Sequence, residues 1–154
     1  MKRYSMLFTF LFTGLMGCDS SEENEELPVL LDCPSISYAS NLTNKSEIVI
    51  QDEANYIYYW NQIDVDSAQS APEIDFNQAM VILVSSGERS SSGYQVEITK
   101  IIENESNIRV HYTTTSPSDN CAQNTVITYP YCLVKAPASN KTVSFIETEE
   151  ISCL

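Results

Sequence analysis

Met80-Val81-Ile82-Leu83-Val84 is an unbroken apolar run, and how it is read decides the fold. A short continuous run of this kind predicts a central strand with both faces covered. On its C-terminal side Tyr94, Val96 and Ile98 alternate with Gln95, Glu97 and Thr99, and Ile108, Val110 and Tyr112 alternate around Arg109 and His111. A period of two marks strands with one buried and one wet face. Glu103-Asn104-Glu105-Ser106-Asn107 between them predicts a hairpin turn. Residues 126–135 and 142–147 predict a further strand pair, joined as a hairpin through Ala136-Pro137-Ala138-Ser139-Asn140-Lys141.

On the N-terminal side, Ser46–Ile50 predicts a short strand, and Asp52 offers an N-cap for a helix running to about Ile63. Tyr56, Tyr59, Trp60 and Ile63 stand at i, i+3, i+4 and i+7 and so share one helical face. Covering a sheet is the common use of such a stripe; a ligand platform is the other. The fold class expected is α+β: a mainly antiparallel sheet of about six strands, with one N-terminal amphipathic helix packed on it. Between the helix and the apolar run, Asp64-x-Asp66 invites comparison with a calcium loop. Gln69 stands where that loop needs glycine, and Ala68 and Pro72 occupy ligand positions, so the comparison fails. Asp66-Ser67-Ala68 resembles a short acceptor for O-glycans on exported proteins.

The chain has 154 residues and a formal charge of −13, and it begins as an exported protein begins. Lys2 and Arg3 precede an apolar stretch, residues 4–13, that is too short for a lasting span of roughly 20 residues. Leu15-Met16-Gly17-Cys18 has the form of a lipobox, with Cys18 as the lipidated residue. Residues 1–17 are therefore expected to be a lipoprotein signal peptide, 18–32 an acidic disordered tether, and 33–154 a single domain. More than one acyl chain gives stable anchoring, so the expected partner at this end is a membrane: the outer membrane of a Gram-negative envelope, with the periplasmic or surface side left open. Asp19-Ser20-Ser21-Glu22-Glu23-Asn24-Glu25-Glu26 is either a solvated tether or an export signal to the cell surface. Loss of Lys2 and Arg3 takes the charge from −13 to −15, and such a chain repels nucleic acid.

Apart from Cys18, Cys33, Cys121, Cys132 and Cys153 form an even set in an exported chain, which predicts two disulfides. If the last hairpin turns between Ala138 and Ser139, Cys153 falls opposite Asn124 and close to Cys121. Cys121 would then bond Cys153, and Cys33 would take Cys132 by elimination. No Cys-x-x-Cys pair occurs and His111 is the one histidine, so neither a metal nor a cofactor is expected. Enzyme signatures are missing as well. There is no Gly-x-Ser-x-Gly elbow and no His-Glu-x-x-His, and a lone histidine on a strand is an ordinary surface residue.

Two segments stand out: Gly87-Glu88-Arg89-Ser90-Ser91-Ser92-Gly93-Tyr94 between two strands, and Thr128-Tyr129-Pro130-Tyr131-Cys132-Leu133-Val134-Lys135 further on. A helix with Trp60 comes first, then Ile74-Asp75-Phe76 before the apolar strand. Gly-x-Arg-x-x-x-Gly-Tyr, Pro117 and Pro130-Tyr131 leading into Val-Lys complete the series, which resembles the PrcB C-terminal domain family over residues 46–148. The sequence departs from that pattern at Ser91 and Ser92, where the family tends to have Thr-Gly, and in its extra Cys33 and Cys132. The resemblance implies an envelope lipoprotein and a non-catalytic subunit of a complex built around a subtilisin-like protease. The expected function is binding or stabilising another protein. A chagasin-like protease inhibitor and an exported hydrolase are the alternatives. Arg89, Ser91, Ser92, Gly93, Tyr94, Tyr129 and Tyr131 are the candidate binding residues. The glycine-flanked loop could equally do no more than turn the chain, since Gly87 and Gly93 allow backbone angles that other residues avoid.

Overall fold

The computed structural model of the chain describes residues 24–26, 28–34, 37–63 and 70–153. In chain order the elements are β1 (Asn24–Glu26), β2 (Val29–Asp32), β3 (Ser46–Ile50), α1 (Glu53–Ile63), β4 (Ala79–Ser85), β5 (Gln95–Glu103), β6 (Asn107–Pro117), β7 (Tyr131–Pro137) and β8 (Thr142–Ser152). The strands form two four-stranded sheets, ordered β1-β5-β6-β8 and β2-β7-β4-β3.

The apolar run is the interior of β4, and its period of two feeds two cores at once. Met80, Ile82 and Val84 point into the layer between the sheets, where Val96, Ile98, Ile101, Ile108, Val110 and Tyr112 meet them. Val81 and Leu83 point the other way, into a layer with Tyr56 and Ile63 of the helix. Burying each such side chain contributes about 1.5–3 kcal/mol. The helix stripe reads as expected: Tyr56 and Ile63 are buried, with Tyr59, Trp60 and Phe76 packed around them. Asp52 caps the helix by accepting the Asn55 N–H at 2.9 Å. The hydrogen bonds from Asn55 hold the Asp52 carboxyl below its usual range. At the far end the Gln62 carbonyl accepts from the Ser40 hydroxyl and the Asn41 N–H, both at 2.8 Å.

The expected architecture needs correction. There are two sheets where one of about six strands was expected, and the single helix among the described residues follows β3 and is not N-terminal. The β5–β6 hairpin is as expected, with the Asn104 side chain accepting the N–H groups of Ser106 and Asn107. The second hairpin does not form. β7 pairs with β4 and β2, whereas β8 crosses to the other sheet and runs parallel to β6, from Asn107↔Thr142 to Pro117↔Ser152. The reason lies in the burial patterns: β7 is buried from Tyr131 to Val134 and needs cover on both faces. Val143 and Phe145 of β8 pack inward while Thr142 and Ser144 are exposed, which suits a sheet with one wet face.

The signal segment 1–17, Cys18, the acids up to Glu23, and the Asp64 and Asp66 segment lie outside the described residues. Part of the expected 18–32 tether is described as sheet: Asn24–Glu26 pairs with β5, and Val29–Asp32 pairs with β7 through a bulge. Val29 and Leu30 remain 56% and 63% exposed, so β2 is held by backbone pairing, which a hydropathy pattern does not announce, and by Leu31 and Asp32 on the helix side. No helix among the described residues is long and apolar enough to cross a membrane.

Both disulfides are present, Cys33–Cys132 and Cys121–Cys153, with Cα separations of 4.1 and 5.4 Å. The second arises by a different route from the hairpin register. β8 follows β6 to its end, so Cys153 arrives beside the chain just past Pro117, where Cys121 lies.

Candidate functional site

The loop from Ser86 to Tyr94 carries the chain from one sheet to the other, and its root is fixed by backbone. The Glu88 N–H donates to the Thr43 carbonyl at 3.0 Å, and the Gly87 N–H to the Ser85 hydroxyl at 3.1 Å. Gly87 has φ +77°, and a Cβ there would lie 2.8 Å from the backbone of Thr43 and Asn44. Any side chain at this position would have to displace main chain. Gly93, at φ +92°, is pressed against the Pro117 ring, 3.0 Å from where its Cβ would be.

Past the root, Arg89 pairs with Thr128 through two backbone hydrogen bonds of 2.8 and 2.9 Å. Its guanidinium lies over the Tyr94 ring, 5.3 Å from the centroid, and its Nε donates to the Ser86 hydroxyl at 3.4 Å. The two side chains expected to act together are therefore brought together. They face a polar cavity of about 280 Å³, lined by Lys45 and Ser86, by Tyr94 and Gln95, by Thr114, Thr115 and Ser116 at the end of β6, and by Glu147 and Glu149 of β8. Lys45 donates to Glu147, and this hydrogen bond is the main reason that the Glu147 carboxyl is held below its ordinary range and the Lys45 ammonium raised above its own. The Thr114 hydroxyl donates to the other Glu147 oxygen at 2.9 Å, and the Arg89 charge adds a smaller pull. Below the cavity, burial and a hydrogen bond donated to Glu47 raise the Tyr112 phenol to about 12.

The other candidates separate from this pair. Ser91 and Ser92 turn toward the segment after β6. The Ser91 hydroxyl donates to Gln123 at 2.7 Å, and the Ser92 hydroxyl accepts the Asn124 N–H at 3.0 Å. These two contacts dock one loop onto another. Tyr129 donates to Glu88 at 3.2 Å. Tyr131 is 2% exposed within the helix-side layer and donates to Asp32 at 2.6 Å, which corrects its place among the binding residues. As the first residue of a strand covered on both faces it belongs to the core. Sequence reasoning missed Lys45, Thr114 and Glu147. The one available signal was Glu147 itself, an acid at the inward position of the Val143, Phe145, Glu147 alternation.

The cavity offers two cations, two carboxylates and several hydroxyls, a set suited to ion pairs and hydrogen bonds with another polypeptide. Among the described residues no group of three or more His, Cys, Asp and Glu side chains is gathered as a metal site. The described residues thus form a two-sheet β-sandwich with one covering helix and a glycine-rooted loop over a polar cavity. The family model described as PrcB C-terminal matches residues 80–137, from the start of the apolar run in β4 to the end of β7. That match takes in the Gly-x-Arg-x-x-x-Gly-Tyr loop and the Pro130-Tyr131 segment. It is narrower than the resemblance over 46–148, leaving out the helix and β8. No curated protein and no solved structure matches the chain.

Proposed function

We propose that the chain is a non-catalytic envelope lipoprotein, anchored through Cys18, whose sandwich domain binds and stabilises another protein. The protease complex implied by the family resemblance is the setting proposed for that partner. The observation that carries the proposal is the Arg89–Tyr94 pair, held over a polar cavity by a loop whose glycine root tolerates no side chain. Arginine and tyrosine are the residue types most enriched at binding hot spots. A preset loop also spares a partner the entropy of ordering it.

Photo-crosslinking from position 115 in intact membranes tests this. A discrete adduct is expected for the wild-type protein and is lost from the Arg89→Ala, Tyr94→Ala double variant, with expression and both disulfides intact. An adduct unchanged in the double variant would remove the loop as the binding element. Substrate turnover by the purified protein that disappears in Glu147→Gln would overturn the non-catalytic assignment. In cells Cys18→Ala should abolish palmitate incorporation; persistent labelling would refute the anchor.

A further inference from the structure

The strand edges of the two sheets are unequal. β1 has three residues, β2 has four and a bulge, and β3 has five. β8 has eleven, in regular register with β6 along its whole length, and lies last in its sheet. Among the described residues no strand pairs with its outer edge. Natural edge strands are kept from pairing by shortness, bulges, proline or charged side chains, inward-pointing ones included. β8 reads Thr-Val-Ser-Phe-Ile-Glu-Thr-Glu-Glu-Ile-Ser and has no proline, no glycine, no lysine and no bulge.

What β8 does carry is acid. Glu147 is engaged by Lys45, but Glu149 and Glu150 are exposed, one on each face of the strand, beside the exposed Ile146 and Ile151. Pairing with a second copy of β8 would set carboxylates near carboxylates, in a chain already carrying −13. Like charges on neighbouring strands are destabilising, while opposite charges stabilise. The edge thus refuses its own kind and favours a strand of opposite sign.

We propose that the outer edge of β8 is a docking site for an extended segment of a partner protein, rich in lysine or arginine with interspersed aliphatic residues, which adds to the sheet as a fifth strand. The main-chain ladder supplies affinity, Glu149 and Glu150 select the basic side chains, and Ile146 and Ile151 give apolar contact on either face. Of these four residues Glu149 alone also lines the cavity under Arg89; Ile146, Glu150 and Ile151 lie outside it.

The test uses the full chain purified in neutral detergent and a fluorescent peptide of Lys and Val alone. The peptide has about ten residues, enough to span the edge at roughly 3.3 Å per residue. Binding should weaken with salt, and it should fall about tenfold in Glu149→Lys, Glu150→Lys, the sum of two attractive pairs lost and two repulsive ones gained. The same variant should instead take up a Glu and Val peptide that the wild-type protein rejects, a gain that a misfolded variant could not show. N-methylation of alternate peptide nitrogens should abolish binding, and Arg89→Ala, Tyr94→Ala should leave it intact. Equal binding of the N-methylated peptide would mean charge attraction without strand pairing and would overturn the proposal. Loss of binding in the Arg89 and Tyr94 variant would move the peptide to the cavity, with the same consequence. No binding, or self-association of the protein alone, would also refute it.

Discussion

β8 is held to β6 by one continuous ladder, yet its two halves live in different surroundings. Over residues 142–147 Val143 and Phe145 pack into the layer between the sheets, and Glu147 closes that layer against Lys45. Over residues 148–152 every residue is exposed, and the strand continues with β6 beyond the reach of the core. What holds the second half is pairing with residues 113–117 and the Cys121–Cys153 bond just past its end. Burial therefore fixes the register of the strand, and a covalent link preserves the part that burial does not reach. The exposed half is where the cavity opens and where the edge is acidic.

The largest expected effect comes from removing that link. Cys121→Ser with Cys153→Ser opens a constraint spanning 32 residues and should lower stability by about 3 to 4 kcal/mol in the chain-entropy model. Urea unfolding gives the global loss. Amide exchange should quicken at 148–152 while 142–147 stays protected, and equal quickening in both halves would erase the distinction. Next comes an alkaline effect in the buried half. Burial, aided by the bond to Glu47, lifts the Tyr112 phenol from 10.0 to about 12. The folded state thus prefers the neutral phenol. Its contribution is whole below pH 10 and is lost as pH rises through 12, amounting to about 2–3 kcal/mol. Burial raises Tyr56, on the helix side, to the same value. Tyr112→Phe should therefore remove a measurable part of the alkaline decline in melting temperature, to which Tyr56, Tyr129 and Lys45 also contribute, and an unchanged decline would argue against a buried phenol.

The smallest effect sits at the seam. Lys45 is 46% exposed, so Glu147→Gln should cost no more than about 1 kcal/mol at neutral pH. With the Glu147 carboxyl lowered, the stabilisation is complete above the ordinary value of 4.5 and fades as pH falls through the lowered one. The Lys45 share is complete below 10.5 and fades as pH rises through its raised value. The difference between wild type and Glu147→Gln should therefore close in acid, and a gap that persists there would mean that the carboxylate acts through packing.

Local periodicity made much of this legible. The helix stripe, the five-residue apolar run and the alternations around Val96 and Val110 each name their surroundings, because side-chain direction follows directly from backbone period. The assignment of strands to sheets was not legible in the same way. Residues 136–141 are turn-formers whether the chain reverses within a sheet or passes to the opposite one, since turn chemistry is decided by a few dihedrals. The contrast between unbroken Tyr131-Cys132-Leu133-Val134 and alternating Val143-Ser144-Phe145 held the answer, and weighing burial pattern above turn composition would have found it. At the site, the loop and its Arg89 and Tyr94 were visible because they lie close in sequence. Lys45 and Glu147 reach the same cavity from 44 residues before Arg89 and 58 after it (89 − 45 and 147 − 89), a proximity only the topology creates.

The Cys33–Cys132 bond also has a mechanical meaning. β1 and β2 both precede Cys33, and Cys132 sits fully buried in β7, inside its sheet. A pull on the N-terminal end of the domain can peel those two short edge strands, but it then meets a covalent bond to an interior strand. Load bypasses the pleats that would otherwise unzip in turn and is carried by the ladder between β7 and β4. Tension applied at the N-terminal end of the domain would thus cost it two edge strands and leave the loop, the cavity and the long acidic edge in working shape.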